Sequence, residues 1–179
     1  MKKILSFVAV AAVMMFAGKA NAQLTIHAGY QNTTTSVSGD GATITANDGA
    51  NGFYAGVDYN IGLGTANMGV APGAMFSYHK DMMDLRIPVM FNWSESISND
   101  MTAGVGVGPI FNIGLAGDMY GDTWEMKRFD IAVGANAWIG YKQARLEFGY
   151  SYGLLNRFSG TGDYKWTINK FYVGLGYTL

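Results

Sequence analysis

The sequence predicts an all-β fold: an eight-stranded antiparallel up-and-down transmembrane β-barrel, preceded by a cleaved signal peptide. The segment 171–179 alternates large apolar residues with small or polar ones, which places the apolar set on one face of a strand. The same alternation recurs in eight segments, and no amphipathic helical segment is available to cover the apolar faces. A closed barrel satisfies every strand edge and presents these faces to lipid.

The N-terminus has the pattern of a secretory signal. A basic start, Met1-Lys2-Lys3, precedes the apolar run Ile4–Ala17 and the small-x-small site Ala20-Asn21-Ala22, as in signal peptides. The run is shorter than the ~18 apolar residues that a spanning helix needs. We predict cleavage after Ala22, which gives a signal peptide over residues 1–22 and a single barrel domain over residues 23–179.

The composition fits an exported bacterial envelope protein. The predicted mature chain carries about four more acidic than basic residues, which argues against a nucleic-acid partner. The chain has no cysteine, so disulfides and thiolate metal sites are excluded. Glycine is abundant (25 residues), proline is rare (3), and aromatic residues make up 14%, which is typical of a small barrel with interfacial aromatic side chains.

Eight strands follow from the alternation, and most reach the ~9–11 residues that cross a bilayer at a tilt. In chain order the predicted strands are Gln23–Thr34, Gly52–Asn60, Ala66–Tyr78, Asp84–Trp93, Met101–Leu115, Arg128–Tyr141, Ala144–Leu154 and Thr167–Leu179.

Each strand is justified by one apolar and one small or polar face. The apolar positions begin with Leu24, Phe53, Val70, Leu85, Ala103, Phe129, Leu146 and Phe171, and recur at every second residue after them. The fifth strand shows the opposite face best, with glycine at 104, 106, 108 and 114. A solvent-facing side is rarely lined with glycine, whereas a narrow barrel interior requires small residues, so we prefer the barrel to a soluble β-sandwich.

The connections are predicted to alternate in length, with both termini at the periplasmic end. Long polar segments, Ser36–Asn51, Ala116–Lys127 and Leu155–Trp166, are assigned to the outer side, and Ile61–Thr65 and Lys142–Gln143 to short inner turns. His79–Met83 and Ser94–Asp100 fit this scheme less well. Three prolines inside predicted strands also count against it, because proline cannot donate to a ladder: Pro72, Pro88 and Pro109.

The alternate strand positions, whose side chains point into the barrel, predict a charged lumen; we call these positions inward in parity. Six inward charged residues, three acidic and three basic, give a neutral set, and paired charges tolerate burial where isolated ones do not. We hypothesise that they form an ion-pair and hydrogen-bond network with three asparagines and plug the narrow interior; a proton or ion relay is the alternative. The predicted lumen network comprises Asp58, Arg86, Asn92, Asn112, Asp130, Asn136, Arg145, Glu147 and Lys170.

Aromatic residues are predicted to form two girdles at the membrane interfaces, where amphipathic rings are favoured. Near the periplasmic ends of the strands are Tyr59, Trp93, Tyr141 and Tyr177, and near the outer ends are Tyr30, Phe53, Tyr78, Phe129, Tyr152 and Phe171.

The sequence offers little catalytic chemistry. His27 is predicted to be an inward polar residue, and His79 lies beside Ser77 and Asp81 at the tip of the third strand. A nucleophile, a base and a carboxylate must converge in space, and neighbours in sequence give no sign of doing so. We expect no enzymatic activity, no catalytic residue, no cofactor and no metal site; weak calcium binding by the loop acids Asp40, Asp48, Asp118, Asp122 and Asp163 is less expected than simple solvation.

Several strand pieces resemble a known family. These pieces are Asp84-Leu-Arg-Ile-Pro-Val-Met-Phe, Val107-Gly-Pro-Ile, Arg128-Phe-Asp, Tyr150-Ser-Tyr-Gly-Leu-Leu-Asn and Gly174-Leu-Gly-Tyr. Their order and spacing resemble the small bacterial outer-membrane β-barrels called porin-like or PorT-like, and the size is similar to the OmpX/OmpA type of eight-stranded barrel. The resemblance implies a location in the outer membrane of a Gram-negative-type bacterium and maps no catalytic residue.

Three classes of function remain open at this stage. The leading interpretation is an integral outer-membrane protein with a structural, adhesion or envelope-interaction role. A narrow porin or a secretion-associated barrel is the alternative, and a lipid-modifying barrel enzyme is a third. The expected partners are outer-membrane lipid and lipopolysaccharide, with the barrel-assembly machinery during biogenesis and no nucleic acid; we expect a monomer because a closed barrel leaves no strand edge to pair.

Overall fold

In a computed structural model the chain forms a closed antiparallel barrel. The structure describes residues 22–39, 42–64, 67–79, 82–117, 126–157 and 165–179, without the side chains of residues 22 and 42–49. The signal peptide predicted for residues 1–22 thus lies almost wholly outside the described residues and stays a prediction.

The described residues form eight strands, and each strand pairs with its neighbours in sequence, with β1 closing on β8. The strands are β1 Ala22–Gly39, β2 Ala42–Gly62, β3 Met68–His79, β4 Met82–Ser96, β5 Met101–Ala116, β6 Phe129–Tyr141, β7 Ala144–Gly153 and β8 Lys165–Thr178. The predicted fold class is therefore confirmed. The described part of the chain contains no helix long and apolar enough to cross a bilayer.

Both termini of the barrel lie at one end, and the two longest connections, residues 117–128 and 154–164, join strands at the other end. β2–β3, β4–β5 and β6–β7 are joined by residues 63–67, 97–100 and 142–143. The last of these is a two-residue turn in which Lys142 has a φ of 54°. We call this the inner end, since short turns face the periplasm in outer-membrane barrels. β4 continues to Ser96, which shortens the connection that had seemed too long for an inner turn.

One predicted loop is wrong. Ser36–Asn51 was expected to be a long polar loop, but β1 continues to Gly39 and β2 begins at Ala42. The outer parts of these two strands pair from Thr35↔Ala46 to Gly39↔Ala42, beyond a register shift between Thr33 and Thr35. The Thr- and Ser-rich composition suits a solvated β-ribbon, and pairing with β8 gives it a third strand.

This extended part forms a sheet that projects past the outer rim of the barrel. It contains the upper residues of β2, β1 and β8, which we call the projecting sheet. β3 begins to pair with β2 only at Gly52↔His79, so among the described residues no strand lies beside residues 42–51 of β2 on the side away from β1. At the other edge, Asn169 Oδ1 accepts a hydrogen bond from Gly153 N–H at 3.3 Å.

The strand prolines have a simple physical account. The pairing of β2 with β3 is interrupted between Asp58↔Gly73 and Ile61↔Val70, so Pro72 is unpaired on that side while it pairs with Val89 on the other. Pro88 and Pro109 show the same one-sided break, on the β3 and β4 sides respectively. Each missing N–H therefore coincides with a local irregularity, which is where a sheet tolerates proline.

Candidate functional site: the barrel lumen

The two faces of the strands separate as predicted. Large apolar side chains are exposed on the outside, among them Phe91, Val107, Phe148 and Leu175 at 42–66%. The alternate positions are buried inside, as the pattern of β7 shows. An exterior of this kind matches a lipid environment rather than water, and the interior is the candidate functional site.

The inner half of the lumen contains a charged cluster around His27, which is 1% exposed. His27 Nε2 lies 2.5 Å from Asp58 Oδ2 and His27 Nδ1 lies 2.9 Å from Glu147 Oε2. Arg145 contacts the same two carboxylates, at 3.0 Å and 3.3 Å. Tyr54 donates its hydroxyl hydrogen to Glu147 Oε1 at 2.7 Å. We call these five residues the His27 cluster; a doubly protonated His27 would donate to both carboxylates and make the set neutral.

The outer half contains a second cluster around Lys170. Lys170 Nζ lies 2.5 Å from Asp84 Oδ2, and both side chains are at most 3% exposed. The ammonium also donates to Ser77 Oγ at 3.2 Å, and Ser77 exchanges hydrogen bonds with Gln31 at 2.6–2.8 Å. We call these four residues the Lys170 cluster. A buried pair with further hydrogen bonds of this kind is held firmly, because each charge depends on the other.

Two aromatic rings and an arginine extend from the His27 cluster into the middle of the lumen. The Arg86 guanidinium lies 5.3 Å from the centre of the Tyr172 ring, within cation–π range. Tyr172 packs edge-on against Tyr54 at 5.4 Å between ring centroids, and Tyr54 bonds to Glu147. Aromatic and charged side chains therefore occupy the middle of the lumen.

Above the Lys170 cluster the outer mouth is closed by apolar side chains. Met82, Met126 and Ile168 form a buried group with Trp166 against it, which we call the outer cap. Met126 comes from the segment before β6, and that segment is fastened to the chain after β7. Lys127 N–H donates to the carbonyl of Arg157 at 2.9 Å, and Arg157 N–H donates to the carbonyl of Trp166 at 3.0 Å.

One wall of the lumen is apolar, which the sequence hypothesis did not include. Ala71, Met90, Ile110 and Ala132 form a buried cluster on adjacent strands β3 to β6. These residues have inward parity, so the charged side chains occupy only part of the circumference. The plug combines an apolar wall with two polar clusters.

The nine residues of the predicted lumen network fall into separate groups. Asp58, Arg145 and Glu147 belong to the His27 cluster and Lys170 to the Lys170 cluster, whereas Arg86 lies over the Tyr172 ring. The remaining side chains, Asn92, Asn112, Asp130 and Asn136, each have an Oδ1 atom without a hydrogen-bond partner. The structure therefore divides five of the nine between two clusters and a ring contact, and it leaves one oxygen atom of each of the other four unbonded.

Asparagine and glycine alternate along one row of the lumen. The strand registers pair Gly69 with Asn92, Asn92 with Gly106, Gly106 with Asn136, and Asn136 with Gly149. A Cβ atom on Gly106 would collide with the amide oxygens of both neighbouring asparagines. We call Asn60, Asn92 and Asn136 the amide belt; Asn60 covers Gly69 in the same way.

Gly149→Ala tests this close packing. A Cβ atom at position 149 would collide with the Tyr172 ring, and a rigid aromatic ring cannot yield without disturbing Tyr54 and Arg86. We expect the free energy of unfolding to fall by about 1–3 kcal/mol, measured by urea titration of the refolded barrel. Ala135→Gly, at an exposed outward position, is the control for the general effect of exchanging glycine and alanine; an equal small change in both would contradict the packing.

A polar vestibule opens at the inner end. Its volume is about 340 Å³. Its floor includes Asn92 and Arg145, with the Arg145 guanidinium 5.4 Å from the centre of the Trp138 ring. Next to it, in the middle of the lumen, lies a cavity of about 20 Å³. The described lumen is thus wide at the inner end and narrows sharply at the level of the His27 cluster.

The predicted girdle residues lie on the outside of the barrel. Nine of them are 39–58% exposed, and Tyr59 is half-buried. Phe53 and Tyr78 pack together at 5.2 Å between ring centroids at the outer end. Their positions are compatible with two interfacial bands, and the girdle role stays a prediction.

The three rim residues considered for catalysis are not seen as one group among the described residues. Ser77 belongs to the Lys170 cluster, His79 is 1% exposed, and Asp81 lies outside the described residues. Within the described ranges no group of three or more His, Cys, Asp or Glu side chains could hold a metal ion. Of the loop acids, Asp40, Asp118, Asp122 and Asp163 lie outside the described residues, as does the side chain of Asp48.

Sequence reasoning missed several lumen residues. Asp84 shares parity with Arg86 and could have been found from that alone. Tyr54, Tyr172 and Gln31 also have inward parity, but an inward position does not reveal a partner on a distant strand. Arg157 follows β7 and is 1% exposed, and no periodic pattern predicts that position.

Comparison with solved structures supports the architecture. Neisserial surface protein A, from Neisseria, matches with a TM-score of 0.52 and 12% identity over 89% of this chain and 100% of that one. The outer membrane protein OprG from Pseudomonas aeruginosa matches with a TM-score of 0.50 and 15% identity over 90% and 98%. This chain has the fold of a small outer-membrane β-barrel.

No family profile and no curated protein sequence matches the chain. The fold assignment is therefore based on structural similarity rather than on sequence similarity. The eight-stranded outer-membrane barrel predicted from the alternation agrees with these structural matches. Together with the apolar exterior, this fold indicates an outer-membrane location.

Proposed function

We propose that this chain is an integral outer-membrane barrel that does not conduct and that acts through its outer end in adhesion or envelope interaction, without enzymatic activity. The observation that supports this most is the closed outer half of the lumen. The Lys170–Asp84 pair and the outer cap lie in series, and an eight-stranded barrel has little room to spare around them. A solute would have to displace both.

The outer end offers a surface suited to interaction. In the projecting sheet, residues 42–51 of β2 have a strand neighbour on one side only among the described residues. The opposite edge is covered, because Trp166 N–H donates to Asn156 Oδ1 at 2.9 Å. Main-chain groups at an uncovered edge can add a strand from an extended peptide.

The remaining partners follow from the environment of the barrel. Its exterior would contact outer-membrane lipid and lipopolysaccharide, and its assembly would use the barrel-assembly machinery. Because the barrel is closed within the membrane, no unpaired edge there calls for a second copy, and we propose a monomer.

Shortening the projecting hairpin tests the proposed role. Residues 34–49 are replaced by an Asn-Gly turn, which joins the paired residues Thr33 and Ala50 as a two-residue hairpin. The variant is expressed in a bacterium that lacks the chain. We expect cells with the intact chain to adhere to coated surfaces and cells with the shortened chain to lose this adhesion. The heat-dependent gel shift of the shortened chain should still show a folded barrel.

The matched control alters the other end of the barrel. Lys142→Asn lies in the two-residue inner turn, where the φ of 54° suits asparagine, and it leaves the outer surface unchanged. We expect adhesion equal to that of the intact chain. Equal adhesion by the shortened variant, or none by the intact chain, would contradict the proposal.

A narrow pore is the second candidate, and the vestibule is the observation that favours it. The opening of about 340 Å³ at the inner end gives water access to part of the lumen. Conduction would still require the Lys170 cluster and the outer cap to move apart, so the closed structure supports the first candidate better.

A further inference from the structure

Several buried polar atoms in the inner half and middle of the lumen have no hydrogen-bond partner. Within the described residues, the Oδ1 atoms of Asn60, Asn92, Asn136 and Asp58 accept no hydrogen bond, and Nε and Nη1 of Arg86 donate none. Asp58 is 8% exposed and Arg86 is 2% exposed. Each buried polar group left unsatisfied costs about 1–3 kcal/mol. The arrangement therefore favours a bound molecule that both donates and accepts hydrogen bonds.

The space beside these atoms is the right size for water. The central cavity of about 20 Å³ is lined by Asp58, Arg86, Asn92 and Asn136. A polar cavity holds a water molecule once it exceeds roughly 10–15 Å³ and offers 2–4 polar partners. Asn92, Trp138 and Arg145 line both this cavity and the vestibule, so the two spaces meet at the amide belt.

Charge distinguishes water from a cation. The acceptor oxygens alone would suit a hard cation. However, two guanidinium groups and two carboxylates line the same cavity, those of Arg86, Arg145, Asp58 and Glu147. The lining therefore has no excess of negative charge to hold a cation. A neutral molecule can bond to acceptors on one side and to Arg86 on the other.

We propose that the amide belt, Asp58 and Arg86 bind ordered water that enters from the vestibule, so that the inner half of the lumen is a hydrated blind channel. Water reaches Arg86 from the periplasmic end and stops there. Beyond it, the outer cap is packed from Met82, Met126 and Ile168, and apolar side chains without polar partners keep such a space dry.

Two buried isoleucines provide a matched pair for the test. Ile110 lines the central cavity and is 1% exposed, whereas Ile168 belongs to the outer cap and is 3% exposed. They have the same chemistry and nearly the same burial, and they differ in the proposed hydration. Methyl-labelled, otherwise unmodified protein in deuterated micelles allows water-to-methyl nuclear Overhauser transfer to be measured at each, with Ile110→Val and Ile168→Val used only to assign the signals.

We expect a water cross-peak at the δ methyl of Ile110 and none at that of Ile168. Asn136→Leu, which removes one acceptor and occupies the cavity, is expected to abolish the cross-peak at Ile110. No water transfer at Ile110 in the unmodified protein would overturn the proposal, and equal transfer at both methyl groups would overturn the dry outer half.

Discussion

Lys170→Met is expected to lower the free energy of unfolding by about 3–5 kcal/mol, the cost of breaking a buried ion pair by removing one partner. The substitution leaves the Asp84 carboxylate, which is 0% exposed, without the ammonium now 2.5 Å away. It also removes the hydrogen bond to Ser77. Urea titration of the barrel refolded in lipid vesicles measures the loss from the shift in midpoint at constant slope.

Two further variants separate the ion pair from other effects. Lys165→Met removes a lysine from an exposed position on the same strand and should change stability little. Lys170→Met combined with Asp84→Leu removes both charges and should recover most of the loss, because replacing a buried pair by apolar groups is often nearly neutral. A double variant as unstable as Lys170→Met alone would show that the pair is not the source of the stability.

The second large effect is expected for Glu147→Leu, with a loss of about 3–5 kcal/mol. Glu147 accepts hydrogen bonds from Tyr54 and His27 and pairs with Arg145. Without it, Arg145 and His27 share the single carboxylate of Asp58, and the Tyr54 hydroxyl loses its partner in a buried site. Urea titration again gives the change.

Two controls accompany Glu147→Leu: one changes the side-chain chemistry at position 147, and the other removes a glutamate at an exposed position. Glu147→Gln keeps an acceptor for Tyr54 but removes the charge, so we expect an intermediate loss. Glu95→Leu removes a glutamate from an exposed position of β4 and should be nearly neutral. A neutral result for Glu147→Leu would mean that the His27 cluster contributes nothing to the stability of the barrel.

The strands and their faces were predictable because a barrel wall obeys a strict period of two. In β5 and β7 the alternation of apolar and small residues alone assigns inside and outside. Six charged residues were placed in the lumen on this basis, and five of these side chains lie in or beside the two clusters. Parity fixes the direction of a side chain, and a lumen this narrow then leaves few alternatives.

Pairing across the lumen could not be predicted from the same pattern. His27 meets Asp58 and Glu147 from strands β2 and β7, and their relative heights depend on the shear of the barrel, which the sequence does not display. The projecting sheet was missed for a different reason. Its β1 and β2 residues, 35–39 and 42–50, are mostly small or polar, and their composition is that of a loop as much as of a solvated ribbon.

The closed lumen is the central claim, and single-channel recording of the refolded chain, Gln23 to Leu179, in planar lipid bilayers tests it most directly. The heat-dependent gel shift first establishes that the inserted protein is folded. The structure predicts a silent barrel, because the Lys170–Asp84 pair and the outer cap block the path in series. Discrete and reproducible openings of the folded protein would contradict the closed lumen and favour the narrow pore.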